Sequence, residues 1–530
     1  MRLAVSDNVN TPNDFDHTET SLLLFPSGSR NGFFLAGCGG AHFSQVSATS
    51  NPQVAAYTLT LNQPATVTIN FGQDITYGFE TSAQHFEVTG TPITIYVAGM
   101  LASTTYHMRA VIEYDSGTTV SDLDHTFTTG AIPPGIIPSF TVTPTNGLTP
   151  QAGVELVNLS GAPTYPYATD LNGNVIWTYL FPDRQPASIL YPIKLMPNGH
   201  FFCLIAPDSS DPLTSGFVAA TQLNVLREID LAGNVIRQLT MTTLNASLAA
   251  AGYGISLQLF SHDFALLPNG HILVIANMLK PYTNLIGYPG TTNVLGDVVI
   301  DLDQNFKPVW VWNAFDHLDV NRHPMQFPDW THSNAIVYSP DDGNFLISSR
   351  HQNWVIKVDY NNGAGAGDII WKLGYQGDFK LQGAVDPTDW FYAQHDVNFV
   401  SSNTTGNFKI ALMDNGDDRV FPAGVTCNSA GAPPCLYTTV PIMQLDENAK
   451  TASFLFHQII PANLYNSFAG DTRVQPNGNV EYNLAGVGTD SYVFEVTPTD
   501  TPQTVWQMDV TNTNTYRAFR MPSLYPGVQW

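Results

Sequence analysis

The stretch Ser261-His262-Asp263-Phe264-Ala265-Leu266-Leu267-Pro268-Asn269-Gly270 joins a histidine, a short apolar run and a Pro-Asn-Gly turn. The same turn recurs at residues 197–199 and 476–478, and a longer variant occurs at residues 339–343. A turn of this kind between apolar runs is typical of a β-hairpin. The sequence around these turns therefore predicts antiparallel strands that repeat along the chain.

A second recurring element, Asp-Leu-x-Gly-Asn-Val, alternates with these turns at residues 170–175 and 230–235. Hairpin, spacer and hairpin together make a four-stranded unit. Such units begin near residues 150, 191, 262, 332, 395 and 470. Four-stranded sheets repeated around an axis are typical of a β-propeller, so we expect an all-β chain with a six-bladed β-propeller. The strand near Trp506 is expected to close the ring with sequence from its beginning.

The chain before the propeller shows a different pattern. Residues 51–133 alternate between apolar and polar positions, which predicts a small β-sandwich of the fibronectin type with Tyr106 in a tyrosine corner. Residues 1–50 have no clear pattern and are interpreted as an N-terminal extended segment. The propeller, expected to be the catalytic domain, is assigned to residues 134–530.

Composition limits the function. The 530 residues are 43% hydrophobic, enough for a sizeable core, and 41 glycines and 36 prolines suit many turns. The net charge of −24 makes nucleic acid and anionic membranes poor partners. No run approaches 18 apolar residues, so no membrane span is expected. No basic and apolar leader opens this chain, so we expect no signal peptide in it.

Four cysteines offer one candidate disulfide. Cys427 and Cys435 enclose a small Gly-, Ala- and Pro-rich loop, and in an oxidising compartment they could form a disulfide or remain reduced. Cys38 and Cys203 are expected to be buried thiols. None of the four has the spacing of metal ligands.

Three histidines occupy matching positions in the repeat. His262, His332 and His395 each open a unit, with spacings of 70 and 63 residues, and Tyr191 and Gly470 hold the corresponding places in neighbouring units. In a propeller the first strand of each blade lines the central channel. We therefore expect the three imidazoles to converge at one mouth of that channel.

The convergent imidazoles could bind zinc or an oxyanion. Arg350 follows His332 by 18 residues, and its strand is expected to return to the channel. There its positive charge would weaken the binding of a divalent cation and favour the binding of phosphate or sulfate. His351 is expected to face away from Arg350 by strand alternation. The sequence contains no P-loop, GxGxxG, HExxH or GxSxG motif, so no metal and no cofactor are expected, and a neutral imidazole could serve as the nucleophile.

These motifs together resemble the bacterial arylsulfate sulfotransferases, which move sulfate between phenols without an adenylyl-sulfate donor. The resemblance is carried by the stretch that opens at His262, by Thr-His332-Ser-Asn334, by Ser-Ser-Arg350 and by Gln-His395-Asp. Residues 516–520, Tyr-Arg-Ala-Phe-Arg, are also similar to a late family motif. The resemblance covers the propeller and, more weakly, the N-terminal domain.

The resemblance implies a role for each matching residue. His395 would be the nucleophile that becomes a sulfohistidine, and His262, His332 and Arg350 would hold the sulfuryl oxygens. One of those two histidines would also protonate the departing phenoxide. Asn334 would orient the site, and Thr472 would be a further substrate contact.

The same resemblance implies a ping-pong reaction between an aryl sulfate donor and a phenolic acceptor, in a periplasmic or secreted protein. A homo-oligomer is compatible with it. The family's disulfide tends to precede the nucleophile, whereas the loop between Cys427 and Cys435 follows His395. This difference leaves the role of that loop and the choice of acceptor open.

Two other functions remain open from sequence alone. The propeller could bind an anion without turnover, or it could be a hydrolase or lyase of sulfated or uronic substrates. If His395 must be neutral to attack, activity is expected to fall below about pH 6, near the ordinary pKa of histidine.

Overall fold

The computed structural model describes residues 43–145, 147–160, 165–181, 183, 188–216, 222–400, 404–417, 419 and 436–530. Their regular structure is mainly antiparallel β-sheet, as the composition predicts. The helices are short: α1 (Asp211–Ser215), α2 (Met241–Ala250) and α3 (Ala314–His317). Turns of 3-10 helix occupy Arg350–Gln352, Asn361–Gly363 and Ala462–Leu464. In the described part of the chain no helix is long and apolar enough to cross a membrane.

Nine strands lie between residues 43 and 130, the described part of the N-terminal region. They are β1 (Phe43–Ala48), β2 (Ala55–Thr60), β3 (Ala65–Gly72), β4 (Phe79–Glu80), β5 (Gln84–Phe86), β6 (Pro92–Val97), β7 (Thr105–Tyr114), β8 (Thr119–Ser121) and β9 (His125–Thr128). One sheet contains β1, β2 and β6, and the other six strands form a second sheet. Strand β1 lies in the segment predicted as an extended arm, and it pairs along its whole length with β2.

The two N-terminal sheets share one apolar cluster. Every second residue is buried in β2 and along most of β7, because successive side chains of a strand point to opposite faces. Tyr57 and Leu59 from one sheet and Ile69 and Met108 from the other belong to this cluster. The Tyr106 hydroxyl accepts a hydrogen bond from Leu101 N at 3.0 Å, the contact predicted for a tyrosine corner.

The remaining strands form six further sheets. In chain order they are β10 (Ser139–Pro144), β11 (Val154–Leu159), β12 (Tyr167–Thr169), β13 (Val175–Thr178), β14 (Ile189–Leu195), β15 (Phe201–Ala206), β16 (Val225–Ile229), β17 (Val235–Thr240), β18 (Leu259–Leu266), β19 (Ile272–Leu285), β20 (Tyr288–Leu302), β21 (Pro308–Asn313), β22 (Ser333–Ser339), β23 (Asn344–Ser349), β24 (Trp354–Val358), β25 (Ile369–Leu373), β26 (Lys380–Gln382), β27 (His395–Phe399), β28 (Asn407–Met413), β29 (Thr439–Asp446), β30 (Thr451–Ile459), β31 (Asp471–Val474), β32 (Val480–Val487), β33 (Asp490–Val496), β34 (Thr504–Thr511) and β35 (Thr515–Met521).

These strands group nearly in the order of the chain. Four-stranded sheets contain β14–β17, β18–β21 and β22–β25, and β27–β30 form a five-stranded sheet with the short parallel strand β26. The other two sheets join the two ends of this region, because β10 pairs with β34 and β35 pairs with β11. The predicted pairing of the strand near Trp506 with earlier sequence is confirmed, since Trp506 lies opposite Pro144.

One edge strand of each sheet contacts the edge strand of the next sheet. Strand β14 contacts β18, β18 contacts β22, β22 contacts β27 and β27 contacts β31. The sixth edge strand, β35, contacts β14 on one side and β32 on the other. The strands that open the sequence repeats are therefore consecutive neighbours.

The predicted hairpin turns are confirmed. At residues 267–271 the Leu267 N–H donates to His271 O at 2.9 Å, and Gly270 N donates to Leu267 O. Gly270 has φ +80°, a left-handed conformation that glycine adopts without a steric penalty. The turns at residues 196–200 and 475–479 close in the same way.

Candidate active site

The four edge strands that precede β31 share an irregularity where the repeat places its key residues. Register shifts fall around Tyr191 in β14 and around His262 in β18. In β22, which begins directly after His332, the shift lies between Ser333 and Ala335, and in β27 it follows His395 directly. A bulge bends a strand and re-aims one side chain, and bulges are common beside active sites. The shared position of the shifts agrees with the repeat alignment made from sequence.

Two of the histidines also have strained backbones. His262 has φ +55° and His332 has φ +45°, in the left-handed region that non-glycine residues rarely occupy. Such conformations cost about 1–3 kcal/mol each and cluster at functional sites. Asp396, directly after His395, has φ +53°. The repeat therefore holds its histidines through unfavourable backbone geometry, which sequence alone did not indicate.

His262 and His332 meet, as predicted. Their ring centroids lie 4.7 Å apart at 60°. His262 Nδ1 lies 2.7 Å from Ser261 Oγ, and the ring of Tyr191 packs on its other side at 5.1 Å. The Tyr516 hydroxyl donates to His262 O at 3.1 Å, so the late sequence motif reaches the site directly.

A buried carboxylate holds His332. Asp329 Oδ2 lies 2.5 Å from His332 Nδ1, and burial raises the pKa of Asp329 to about 6. At neutral pH this carboxylate is ionised and accepts a hydrogen bond from the Nδ1–H of His332, so the lone pair of His332 lies on Nε2. Asp329 was not predicted, because nothing in the local pattern distinguishes it from other aspartates of the chain.

The expectation that His351 faces away from Arg350 is wrong. The strand ends at Ser349 and Arg350–Gln352 form a 3-10 turn, so strand alternation no longer applies. Arg350 Nη1 donates to His351 Nε2 at 2.8 Å, and the His351 ring stacks on His332 with centroids 4.4 Å apart. The other nitrogen, Nδ1, lies 2.6 Å from Asp329 O. Because Nε2 accepts, the proton of His351 must lie on Nδ1.

Arg350 is held on a second side by Asp417. Its Nη2 donates to Asp417 Oδ2 at 2.5 Å, while its Nε is buried with no hydrogen-bond partner among the described residues. The guanidinium is therefore fixed by two partners and keeps an unused N–H donor. An anion with several acceptor oxygens would satisfy that donor.

His395 is buried and has a neutral partner. Its Nδ1 lies 2.6 Å from Asn415 Oδ1, and Ala469 N donates to its Nε2 at 3.3 Å. Burial first, and then the charge of Arg350, hold the pKa of His395 well below its usual range, with smaller contributions from His262 and His332. Strand β27 contacts β22, which begins directly after His332, and β23, which ends directly before Arg350, and β22 contacts β18, which contains His262. The predicted nucleophile therefore lies on the strand beside those that adjoin His332 and Arg350.

The four imidazoles are neutral at neutral pH. Burial lowers the pKa of His332 and of His351 to about 3, and it holds the pKa of His262 well below its usual range. The loss of activity expected near pH 6 must therefore move to lower pH, because a desolvated imidazole resists protonation.

A group that could hold a metal ion lies beside the predicted triad. Among the described residues, Asp329, His332 and His351 offer three ligand atoms within 4.8 Å of one another. Only His332 is shared with the three histidines that open the repeat units. Three of the four ring nitrogens in this group already have partners: His332 Nδ1 contacts the Asp329 carboxylate, His351 Nδ1 contacts the Asp329 carbonyl, and His351 Nε2 accepts from Arg350 Nη1. A metal ion held by all three residues would have to displace hydrogen bonds.

Asn334 and Thr472 lie in the buried surroundings of the site. Asn334 Nδ2 donates to Gln394 O at 2.7 Å, directly before His395 in sequence, so Asn334 is bonded to the chain next to the predicted nucleophile. Asn334 Oδ1 and the Thr472 hydroxyl are buried and have no hydrogen-bond partner among the described residues. Thr472 is joined to β27 through its carbonyl, which accepts from Asn398 Nδ2 at 2.8 Å.

Arg517 ties the histidine strands together. Its Nη1 lies 3.2 Å from Asp263 Oδ2 and 3.1 Å from Asp396 Oδ1, and its Nη2 donates to Asn334 O at 2.6 Å. Asp263 and Asp396 directly follow His262 and His395 in sequence. The two His-Asp pairs are therefore the sequence signal for this ion cluster, with the late motif supplying its cation.

Only one of the four cysteines lies in the described part of the chain. Cys203 is a buried free thiol, as predicted, and burial raises its pKa to about 12. The candidate disulfide between Cys427 and Cys435 and the thiol of Cys38 lie outside the described residues.

The sequence model of the family described as Arylsulfotransferase (ASST) matches residues 143–520. The chain belongs to the arylsulfotransferase family. Membership supports aryl sulfotransferase activity in general, with a small-molecule donor and acceptor. The match includes His262, His332, Arg350 and His395.

The other comparisons with known proteins add little to this family assignment. No curated protein sequence matches it. A protein of unknown function from Bacteroides caccae is 9% identical with a TM-score of 0.29, over 58% of this chain and 94% of that one. A member of the DUF4221 family from Bacteroides vulgatus is 8% identical with a TM-score of 0.33, over 73% of this chain and 98% of that one. Similarity this low carries no argument about function.

Proposed function

We propose that this chain moves a sulfuryl group from an aryl sulfate to a phenol, without an adenylyl-sulfate donor, through a sulfohistidine at His395. The observation that carries the proposal is a buried His395 whose Nδ1 lies 2.6 Å from Asn415 Oδ1. Its strand, β27, contacts β22, which begins directly after His332, and β23, which ends directly before Arg350. Burial and the charge of Arg350 hold the pKa of His395 well below its usual range. A neutral imidazole is a nucleophile, and the guanidinium beside it supplies the charge that an anionic donor requires.

The proposed architecture is a six-bladed propeller of residues 134–530 behind a β-sandwich of residues 51–133, with residues 1–50 as an N-terminal segment. The neighbouring edge strands β14, β18, β22, β27 and β31, and the closing pairs made by β10 and β35, support it. A periplasmic or secreted location is also proposed, on the family resemblance alone.

In the first half-reaction His395 Nε2 attacks sulfur. The new N–S bond forms while the S–O bond to the aryl group breaks, and the electron pair leaves on the phenolic oxygen. The imidazole keeps its Nδ1 proton. Arg350 and the neighbouring imidazoles stabilise the sulfuryl oxygens, as positioning and charge stabilisation dominate such loose transfers.

Proton transfer to and from the phenolic oxygen is assigned to His332. Its Nδ1 contacts the carboxylate of Asp329, whereas His262 Nδ1 contacts only the hydroxyl of Ser261. A carboxylate stabilises the imidazolium that forms when Nε2 takes a proton. In the second half-reaction the acceptor phenol gives its proton to His332 Nε2 and attacks sulfur. Because burial keeps the pKa of free His332 at about 3, the imidazolium releases this proton when the product leaves. It takes up a proton again when the anionic donor binds, since a nearby negative charge favours the protonated form, and it then protonates the departing phenoxide.

The test is turnover of a chromogenic phenyl sulfate with and without added phenol, in the native chain and in His395→Ala. Chromophore release that accelerates with phenol, forms the sulfated acceptor and disappears in His395→Ala is the expected result. His271→Ala is the matched control, because that ring pairs with Asp301 away from the site. Release that ignores phenol indicates a hydrolase, and binding of the donor without release indicates an anion-binding propeller.

A further inference from the structure

The side chain of Asn415 can adopt only one amide orientation. It is fully buried, and its Nδ2 donates to two backbone carbonyls, Asn466 O at 3.1 Å and Ala469 O at 3.0 Å. A flipped amide would place its oxygen against both carbonyl oxygens, which only accept hydrogen bonds. The amide oxygen therefore faces His395.

That orientation determines the tautomer of His395. An amide oxygen only accepts, so the nitrogen 2.6 Å from it, Nδ1, must carry the proton. The other ring nitrogen independently agrees, because Ala469 N–H points at Nε2 and requires an acceptor there. Both contacts leave the lone pair of His395 on Nε2.

The partner of His395 differs in charge from the partner of His332. The repeat places both histidines at equivalent positions, and each has its Nδ1 held at close range, by Asn415 in one case and by Asp329 in the other. Two titratable groups in contrasting environments are commonly assigned different catalytic roles. A carboxylate can accept or stabilise a proton on its imidazole, and an amide cannot accept one.

The amide has a consequence for the covalent intermediate. After attack by Nε2 the ring bears both the sulfuryl group and the Nδ1 proton, so it is a cationic imidazolium. When the sulfuryl group leaves, the electron pair returns to Nε2 and the ring departs as neutral imidazole. If a base removed the Nδ1 proton first, the leaving group would be an imidazolate, which is far poorer.

We infer that Asn415 is a positioning residue that presents His395 Nε2 for attack and keeps the sulfohistidine reactive, because its amide cannot take the Nδ1 proton. This inference rests on the proposed function and adds to it a residue that acts through the nucleophile. Partners that orient a metal-bound histidine through its other ring nitrogen contribute about 10- to 100-fold to activity, and we expect a loss of the same order here.

The test uses Asn415→Asp, which has the same shape and can accept the proton, although it also replaces the donor to Asn466 O and Ala469 O by an oxygen. A native burst therefore shows that the site has kept its structure. The two half-reactions are followed separately: the burst of chromophore without an acceptor, and the decay of the sulfated protein after phenol is added. We expect a burst of about one equivalent and a decay at least about tenfold slower than in the native chain. Mass spectrometry should then find the sulfated protein accumulating during turnover.

The fall in the burst rate of the first half-reaction at low pH provides a second readout. His395 is influenced by Arg350, His262, His332 and the Asn415 amide, and the new carboxylate should favour its protonated form. As the pH is lowered, the burst should therefore be lost at a higher pH in Asn415→Asp than in the native chain. A purely structural role for Asn415 would lower both half-reactions and leave the pH profile unchanged.

Asn344→Asp is the matched control. Asn344 is also buried, and its Oδ1 accepts from the backbone nitrogens of Tyr360 and Asn361, so an aspartate fits there without touching the histidines. Normal half-reactions in this variant would show that a buried carboxylate elsewhere does no harm. Normal decay in Asn415→Asp, with a native burst, would overturn the inference and leave the proposed function standing.

A measurement on the native chain covers the case in which Asn415→Asp does not fold. Nitrogen NMR of isotopically labelled histidines, assigned with His395→Ala, reports which ring nitrogen carries the proton. A proton on Nδ1 is expected, and a proton on Nε2 would refute the inference. Absence of any burst in the native chain would instead count against the proposed function.

Discussion

Replacing Asp329 by asparagine tests whether His332 moves the proton. The change keeps the shape but replaces the charge-assisted hydrogen bond to His332 Nδ1 by a neutral one. Hydrogen bonds to charged groups contribute about 1.5–3 kcal/mol, and tenfold in rate corresponds to about 1.36 kcal/mol. If the bond is used fully in the transition state, transfer should slow by about 10- to 150-fold.

The size of this loss should depend on the leaving group. A departing nitrophenoxide needs no proton, whereas an unactivated phenoxide, with a pKa of about 10, does. Asp329→Asn should therefore slow transfer from phenyl sulfate by the full factor and transfer from nitrophenyl sulfate by less than about threefold. The assay is kcat/KM for a series of substituted phenyl sulfates, plotted against the pKa of the phenol. An equal loss across the series would refute the assignment of His332.

Thermal unfolding of Asp329→Asn provides the control for folding. Burial raises the pKa of Asp329 to about 6, above its ordinary value, so the stability it contributes is present at low pH and is lost as the pH rises through 6. At neutral pH the native chain therefore carries a desolvated charge that asparagine lacks. The variant should melt no earlier than the native chain at pH 7, and a large fall in Tm would mean that lost activity reflects misfolding.

Three other outcomes are expected. With nitrophenyl sulfate the burst should keep its rate between about pH 5 and 7, because burial and Arg350 keep His395 unprotonated; stopped-flow measurements that show a fall near pH 6 would contradict this. Arg517→Met should lower the free energy of unfolding by about 1.5–3 kcal/mol in denaturant titrations, since it removes the cation that Asp263 and Asp396 share and leaves each with one other ion pair, to Lys194 and to Arg473. Arg350→Lys should lower kcat/KM by at least about tenfold although its charge is kept, because an ammonium group lacks the planar fork of donors; near-native kinetics would show that charge alone suffices.

The predictions that held rest on local sequence. The Pro-Asn-Gly turns, the alternation in β2 and β7 and the tyrosine corner at Tyr106 are decided by residues a few positions apart. Turn chemistry and the period of two act over that range, so the sequence displays them directly. The spacing of the three histidines was also readable, because each repeat aligns its strands in the same way.

The wrong prediction for His351 and the site residues that were not predicted depend on the turns and loops at the ends of the strands. His351 was placed on the wrong side because the strand ends one residue before Arg350 and a 3-10 turn follows. Asn415 and Arg517 were missed as partners of the site because they lie 20 and 254 residues from the residues they bind. Asp329 was missed although it lies three residues before His332, because nothing in the local pattern distinguishes it from other aspartates.

Local chemistry along the chain is thus enough to place the strands, the turns and the order of the histidines in this arylsulfotransferase. Folding assigns the partners, as Asn415 binds a histidine 20 residues away and Arg517 binds an aspartate 254 residues away. The folded chain thereby pairs the imidazole of His395 with an amide and that of His332 with a carboxylate. The reason is that tautomer, charge and pKa depend on burial and on atoms within about 3 Å, which only the packed chain brings together.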